Sequence, residues 1–144
     1  MDKRVKRVFL DTNIVMDAIE RRAFRAEAET ILGLCRQECI EGFVATMSFA
    51  TMAYLLRRCE KNFIYDTFAR LTEVLKVASV TTEQFSKAMQ FGAVRDFEDM
   101  LQYQCAIANG CDVIVTNNIR DYLEFSQIPV MTSRDFLLQY FRSH

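Results

Sequence analysis

Val8-Phe9-Leu10 runs straight into Asp11-Thr12-Asn13. A short apolar run bounded by turn-forming residues reads as a buried β-strand. Asp11 then stands at the strand's carboxyl end, where open α/β sheets place their ligand crevices. An ionised carboxylate is costly to bury alone. Two readings follow: Asp11 meets a cation, or its carboxyl caps the helix that begins near Asn13.

Strand and helix patterns alternate along the rest of the chain. Short apolar runs at 5–10, 43–46, 77–80, 112–115 and 128–131 predict strands. Helical spacing covers 13–19, 24–39, 48–58, 62–75, 82–92, 96–109 and 133–141. Ala28, Ile31, Leu32 and Cys35 form one stripe of the second helix. Ser48 and Asn62 are the expected N-caps of the third and fourth helices, and Ser133 or Thr132 that of the last. Asn109-Gly110 is a stop signal. Such alternation predicts an α/β fold with three layers, α/β/α, and a mostly parallel sheet. With no repeat and no linker-like segment, the 144 residues are expected to form one domain, 1–144.

Composition narrows the function classes. A formal charge of -1 argues against a surface that is basic throughout, while leaving room for a local basic patch. The five cysteines are odd in number and lack paired zinc spacing, and His144 is the only histidine. They are expected to be buried free thiols of a reducing, cytoplasmic compartment. Lys3, Arg4, Lys6 and Arg7 precede an apolar stretch too short for a signal peptide, and no run reaches membrane-spanning length.

Three separate segments carry acids or amides to strand ends and helix starts: Asp11, then Asp96 with Asp99, then Asn117, Asn118 and Asp121. If they converge, the carboxylates raise one another's pKa unless a cation neutralises them. Hard oxygen donors suit Mg²⁺ or Mn²⁺. Such an ion can activate water and offset charge building on a phosphodiester. Asp96 is expected to cap its helix, leaving Asp99, three residues on, for the metal. Asp17 is expected at the surface.

Taken in order, Phe9-Leu10-Asp11-Thr12-Asn13, Asp96-Phe97-Glu98-Asp99 and Val115-Thr116-Asn117-Asn118 with Asp121-Tyr122 resemble the PIN domain family and its VapC-like toxin ribonucleases. Ile128-Pro129-Val130-Met131-Thr132 matches the family's last strand. The resemblance implies the strand order 3-2-1-4-5 and metal-dependent hydrolysis of RNA, often by the toxin of a bacterial toxin–antitoxin pair. It makes Asp11, Asp99 and Asp121 the catalytic, metal-binding acids. Thr12, Asn13, Asp96, Thr116 and Asn118 become supporting residues. It further favours a homodimer and an antitoxin partner.

One departure stands out. The family usually carries an acid on the helix after the second strand, yet no acid occurs between Gly42 and Cys59. Thr51 aligns with it. Either Asp96 or Asp121 compensates, or the chain is a weakened or inactive module that binds RNA or a partner protein without cutting. Arg95 and Arg120 lie beside the proposed acids and are the expected RNA contacts. Tyr54, Phe63, Phe68, Phe85 and Phe91 exceed what one small core absorbs, so some are expected at an interface. A receiver domain fits poorly, because Thr81-Thr82 follows the third strand where a phosphate-accepting aspartate is needed. An aspartyl phosphatase would want a second aspartate where Asn13 stands.

Overall fold

The computed structural model describes residues 5–90, 96–122 and 127–144, with the side chain of Asp121 excepted. Its centre is a five-stranded sheet in the order β3-β2-β1-β4-β5, with every neighbouring pair parallel. The strands are β1 (Arg7–Leu10), β2 (Glu41–Ala45), β3 (Leu75–Ala78), β4 (Val113–Val115) and β5 (Val130–Met131). The helices are α1 (Thr12–Ile19), α2 (Arg25–Arg36), α3 (Thr46–Leu55), α4 (Lys61–Val74), α5 (Thr82–Met89), α6 (Phe97–Ala108) and α7 (Ser133–Ser143). A single 3-10 turn, Ile119–Tyr122, follows β4.

Strand side chains alternate between the two sheet faces. Val8 and Leu10 of β1, Val44 of β2 and Val113 and Val115 of β4 enter one core. Ile14 of α1, Ile31 of α2, Met52 of α3, Leu71 of α4 and Phe136 of α7 cover that face. Phe9, Phe43 and Ile114 point the other way, onto Tyr103, Cys105 and Ala106 of α6. Ala88 of α5 packs against Met100 and Leu101 of α6 as an outlying patch. The sheet is therefore sandwiched between helical layers, as the alternation predicts. Each fully buried Leu, Ile or Phe contributes about 1.5–3 kcal/mol by leaving water.

Several boundaries differ from the sequence expectation, and local contacts give the reasons. β2 passes into α3 without a loop, so Ala45 is both the last strand residue and the N-cap. Ser48 is consequently inside α3 and does not cap it. Its hydroxyl is wholly buried and accepts from Thr12 Oγ1 at 2.7 Å. α4 likewise starts after Glu60, which takes the N-cap position expected of Asn62. It runs directly into β3, which lies two residues earlier than expected; a shift of two preserves which side chains share a face. Asp96 and Thr132 do cap α6 and α7, accepting from Asp99 N and Asp135 N, each at 3.1 Å. Gly110 closes α6 at φ +64°, the left-handed backbone that glycine adopts without strain.

The thiols divide. Cys35, Cys105 and Cys111 are buried, as expected, but Cys39 and Cys59 are exposed, since both follow the ends of their helices. Burial pushes the Cys35 and Cys111 thiols up to about 12 and Cys105 to about 11, so none is a ready nucleophile. Among the aromatics, Tyr54, Phe63 and Phe85 are exposed, while Phe68 packs edge-on against Phe49. Phe91 lies outside the described residues. No helix among the described residues is long and apolar enough to cross a membrane.

Candidate active site

The register of the two central strands builds the site. Leu10 of β1 pairs with Val115 of β4, so the next residues, Asp11 and Thr116, leave the sheet side by side. Asp11 N donates to Val115 O at 3.1 Å, and Thr116 Oγ1 donates to Asp11 Oδ2 at 2.8 Å. Thr116 Oγ1 in turn accepts from Asn118 N at 3.1 Å, which fixes the hydroxyl and turns the loop. Asp11 occupies the N-cap position of α1, yet its side chain makes no cap hydrogen bond. The nearest helical amides, of Thr12 and Asn13, still act on its carboxyl.

Asp11 is 4 % exposed. Burial raises its carboxyl above the ordinary carboxylate value. Thr116, Gln102 and the backbone amides of Thr12 and Asn13 offset part of that rise. No lysine or arginine among the described residues forms a salt bridge with it. A buried carboxylate with donors on one side and no compensating side-chain cation is the electrostatic situation that a metal ion resolves.

α6 delivers the second group of acids across the crevice. Asp96 is occupied as the cap, and Asp99 Oδ1 accepts from Tyr122 OH at 3.3 Å. Tyr122 is itself buried under the turn after β4, tying that loop to α6. Glu98, which sequence reasoning passed over, is half-buried and accepts from Thr51 Oγ1 of α3 at 3.1 Å. Its carboxyl is raised, chiefly by burial and further by the negative charges of Asp96 and Asp11. The signal was present in Asp96-Phe97-Glu98-Asp99, but the pairing partner lies on another helix and leaves no trace in local spacing.

Asp17 corrects the expectation of a surface residue. It is 6 % exposed and accepts from Asn117 Nδ2 at 3.2 Å, with Arg22 at 4.0 Å. Burial raises its pKa, and the Asn117 bond and Arg22 partly counter this. Asn117 Oδ1 meanwhile accepts from Ser133 N at 3.0 Å and Ser133 Oγ at 3.1 Å. One asparagine thus joins α1, the loop after β4 and the start of α7. Thr12 bonds Ser48, so its hydroxyl steadies α1 against α3. The Asn13 side chain accepts from Arg22 at 3.2 Å, and only its backbone acts on Asp11. Asn118 and Arg120 are exposed on the loop and turn after β4. Arg95 and the Asp121 side chain lie outside the described residues.

The oxygen donors here are carboxylates, hydroxyls and the Gln102 amide, without histidine or cysteine. In kind they fit a hard divalent ion. Gln102 is 1 % exposed, and its Oε1 has no hydrogen-bond partner. Among the described residues, no three His, Cys, Asp or Glu side chains stand together as a metal cluster.

Comparison with known proteins identifies the fold and the family. The chain is 23% identical over 136 residues to Ribonuclease VapC1 of Aquifex aeolicus, covering 91% of this chain and 93% of that protein. VapBC2 of Rickettsia felis, solved bound to a DNA fragment from its promoter, superposes with a TM-score of 0.65 at 19% identity, over 86% of this chain and 96% of that one. VapC20 of Mycobacterium tuberculosis, a sarcin–ricin loop cleaving toxin, superposes with a TM-score of 0.64 at 18% identity, over 85% of this chain and 98% of that one. The PIN domain model matches residues 7–120, and the chain belongs to the PIN domain family.

Proposed function

We propose that this protein is a divalent-metal-dependent endoribonuclease, acting as the toxin of a bacterial toxin–antitoxin pair. The observation that carries the reading is Asp11: a carboxylate buried at the carboxyl end of the central strand, raised by desolvation and lacking a cationic side-chain partner among the described residues. Proteins do not keep such a group for stability. The names of the relatives support the same reading, since they include a ribonuclease and complexes of toxin with antitoxin.

Asp11 and Asp99 are the residues to hold Mg²⁺ or Mn²⁺, with Asp121 as the third acid. When bound, the ion supplies positive charge against the developing negative charge of a phosphodiester and acidifies water. The protein's own groups do the rest. Thr116 Oγ1 fixes one oxygen of Asp11, and Asn118 N holds that hydroxyl in place. Tyr122 orients Asp99. Thr12, through Ser48, keeps the start of α1 beside α3. Asp96 holds the first turn of α6 and thereby Asp99. Arg120 and Arg95 are the proposed contacts for RNA phosphates, a homodimer is the proposed assembly, and the cytoplasm is the proposed location. His144 ends α7 and hydrogen-bonds Tyr140 O, so proton transfer at the site is left to water and carboxylates.

The test is degradation of a mixed RNA substrate with Mn²⁺ or with EDTA, by the wild type and by Asp11→Asn. Cleavage by the wild type with Mn²⁺ alone, lost in Asp11→Asn, is the expected outcome. Equal cleavage by both proteins overturns the assignment. RNA retained but uncut under every condition supports the second reading, a binding module, for which Thr51 in place of an acid is the argument.

A further inference from the structure

We propose, resting on the nuclease reading above, that Glu98 supplies the carboxylate that α3 lacks and joins Asp11 and Asp99 in holding the divalent ion. The side chain standing at the α3 position is Thr51, and its hydroxyl is spent on Glu98 Oε1 at 3.1 Å. A threonine there adds no negative charge. It positions a negative charge that arrives from the opposite helix. The acid that α3 lacks is thus supplied from α6, at the contact between the two helices.

Two further observations point the same way. Ser48 and Thr51 stand three residues apart on α3, and Ser48 accepts from Thr12, next to Asp11, while Thr51 donates to Glu98, so one helix flanks both acids. Gln102 stands one turn further along α6, four residues from Glu98 and hence on the same helix face. It is 1 % exposed and acts on the Asp11 carboxyl through its amide, yet its Oε1 has no hydrogen-bond partner. An orphaned buried acceptor is costly, and this one belongs to a side chain that also reaches Asp11. A cation beside the site would satisfy that oxygen and offset the carboxylate charges that the neutral donors leave in place.

The experiment is calorimetric titration of the full chain with Mn²⁺ in the absence of RNA, alongside metal-free melting curves. The proteins are the wild type, Asp11→Asn, Glu98→Gln, Glu98→Asp, and Thr51→Glu combined with Glu98→Gln. Glu98→Gln is expected to weaken Mn²⁺ binding tenfold or more with a metal-free melting temperature no lower than that of the wild type. The double variant, which returns the acid to α3, is expected to recover most of that loss. If Glu98→Gln folds poorly, Glu98→Asp, which keeps the charge and shortens the reach, is expected to show an intermediate affinity. Wild-type affinity in Glu98→Gln together with loss in Asp11→Asn overturns this inference and leaves the nuclease reading standing. Wild-type affinity in both overturns the two together.

Discussion

Asp11→Asn should make the metal-free protein more stable at neutral pH while removing its activity. The reasoning starts from the site. Burying a carboxylate carries an effective penalty of several kcal/mol. Thr116, Gln102 and two backbone amides return only part of it, because the net displacement of the Asp11 pKa is upward. An acid whose folded pKa lies above its unfolded value binds protons more tightly when folded. Its contribution is therefore fully present below the unfolded value of 3.8 and is lost as pH rises through the folded value. At neutral pH the wild type bears the whole cost. Asparagine keeps the acceptor for Thr116 Oγ1 and carries no charge. The expected gain is on the order of 1–2 kcal/mol, the usual return from relieving a functional site. For a chain of this size that is a rise in melting temperature of about 3–8 °C. The assay is thermal or urea unfolding in EDTA at a series of pH values. The two proteins should converge near pH 4 and separate as pH rises, with the variant above. Added Mn²⁺ should narrow or reverse the gap by stabilising the wild type alone. A variant less stable than the wild type at pH 7.5, or a gap independent of pH, refutes the reasoning.

Two other perturbations test the scaffold. Thr116→Val removes the donor to a buried charged acceptor and should cost about 1.5–3 kcal/mol at pH 7, less in acid, measured by urea midpoints. An added Cβ at Gly42 would stand 2.6 Å from both Cys35 Sγ and Leu75 Cδ2. Gly42→Ala should therefore overpack the core by about 1–3 kcal/mol, seen as a lower urea midpoint with an unchanged slope.

The strands themselves and the Asp11 position are legible in the sequence because both depend on short-range pattern, whereas the strand order β3-β2-β1-β4-β5 is implied only by the family resemblance. A three-residue run such as Val113–Val115 announces a buried parallel strand, and the turn-formers after it announce the crevice. The caps Asp96 and Thr132 are legible for the same reason: donor and acceptor lie three residues apart. The failures share the opposite cause. Ser48 looked like a cap because serine usually is one, but its partner is Thr12, 36 residues away. Asp17 looked exposed on its own helix, but Asn117, 100 residues on, closes over it. Glu98 was overlooked beside Asp99 because Thr51 is 47 residues distant. Long-range hydrogen bonds of polar side chains are where local pattern has nothing to say.

The most direct measurement is anomalous diffraction from crystals of the wild type grown with Mn²⁺. A peak about 2 Å from a carboxylate oxygen of Asp11, the distance expected of a small hard divalent ion, is the predicted result. Strong Mn²⁺ peaks elsewhere with none at Asp11, in crystals whose crevice is open to solvent, would contradict the metal site on which the proposed chemistry rests.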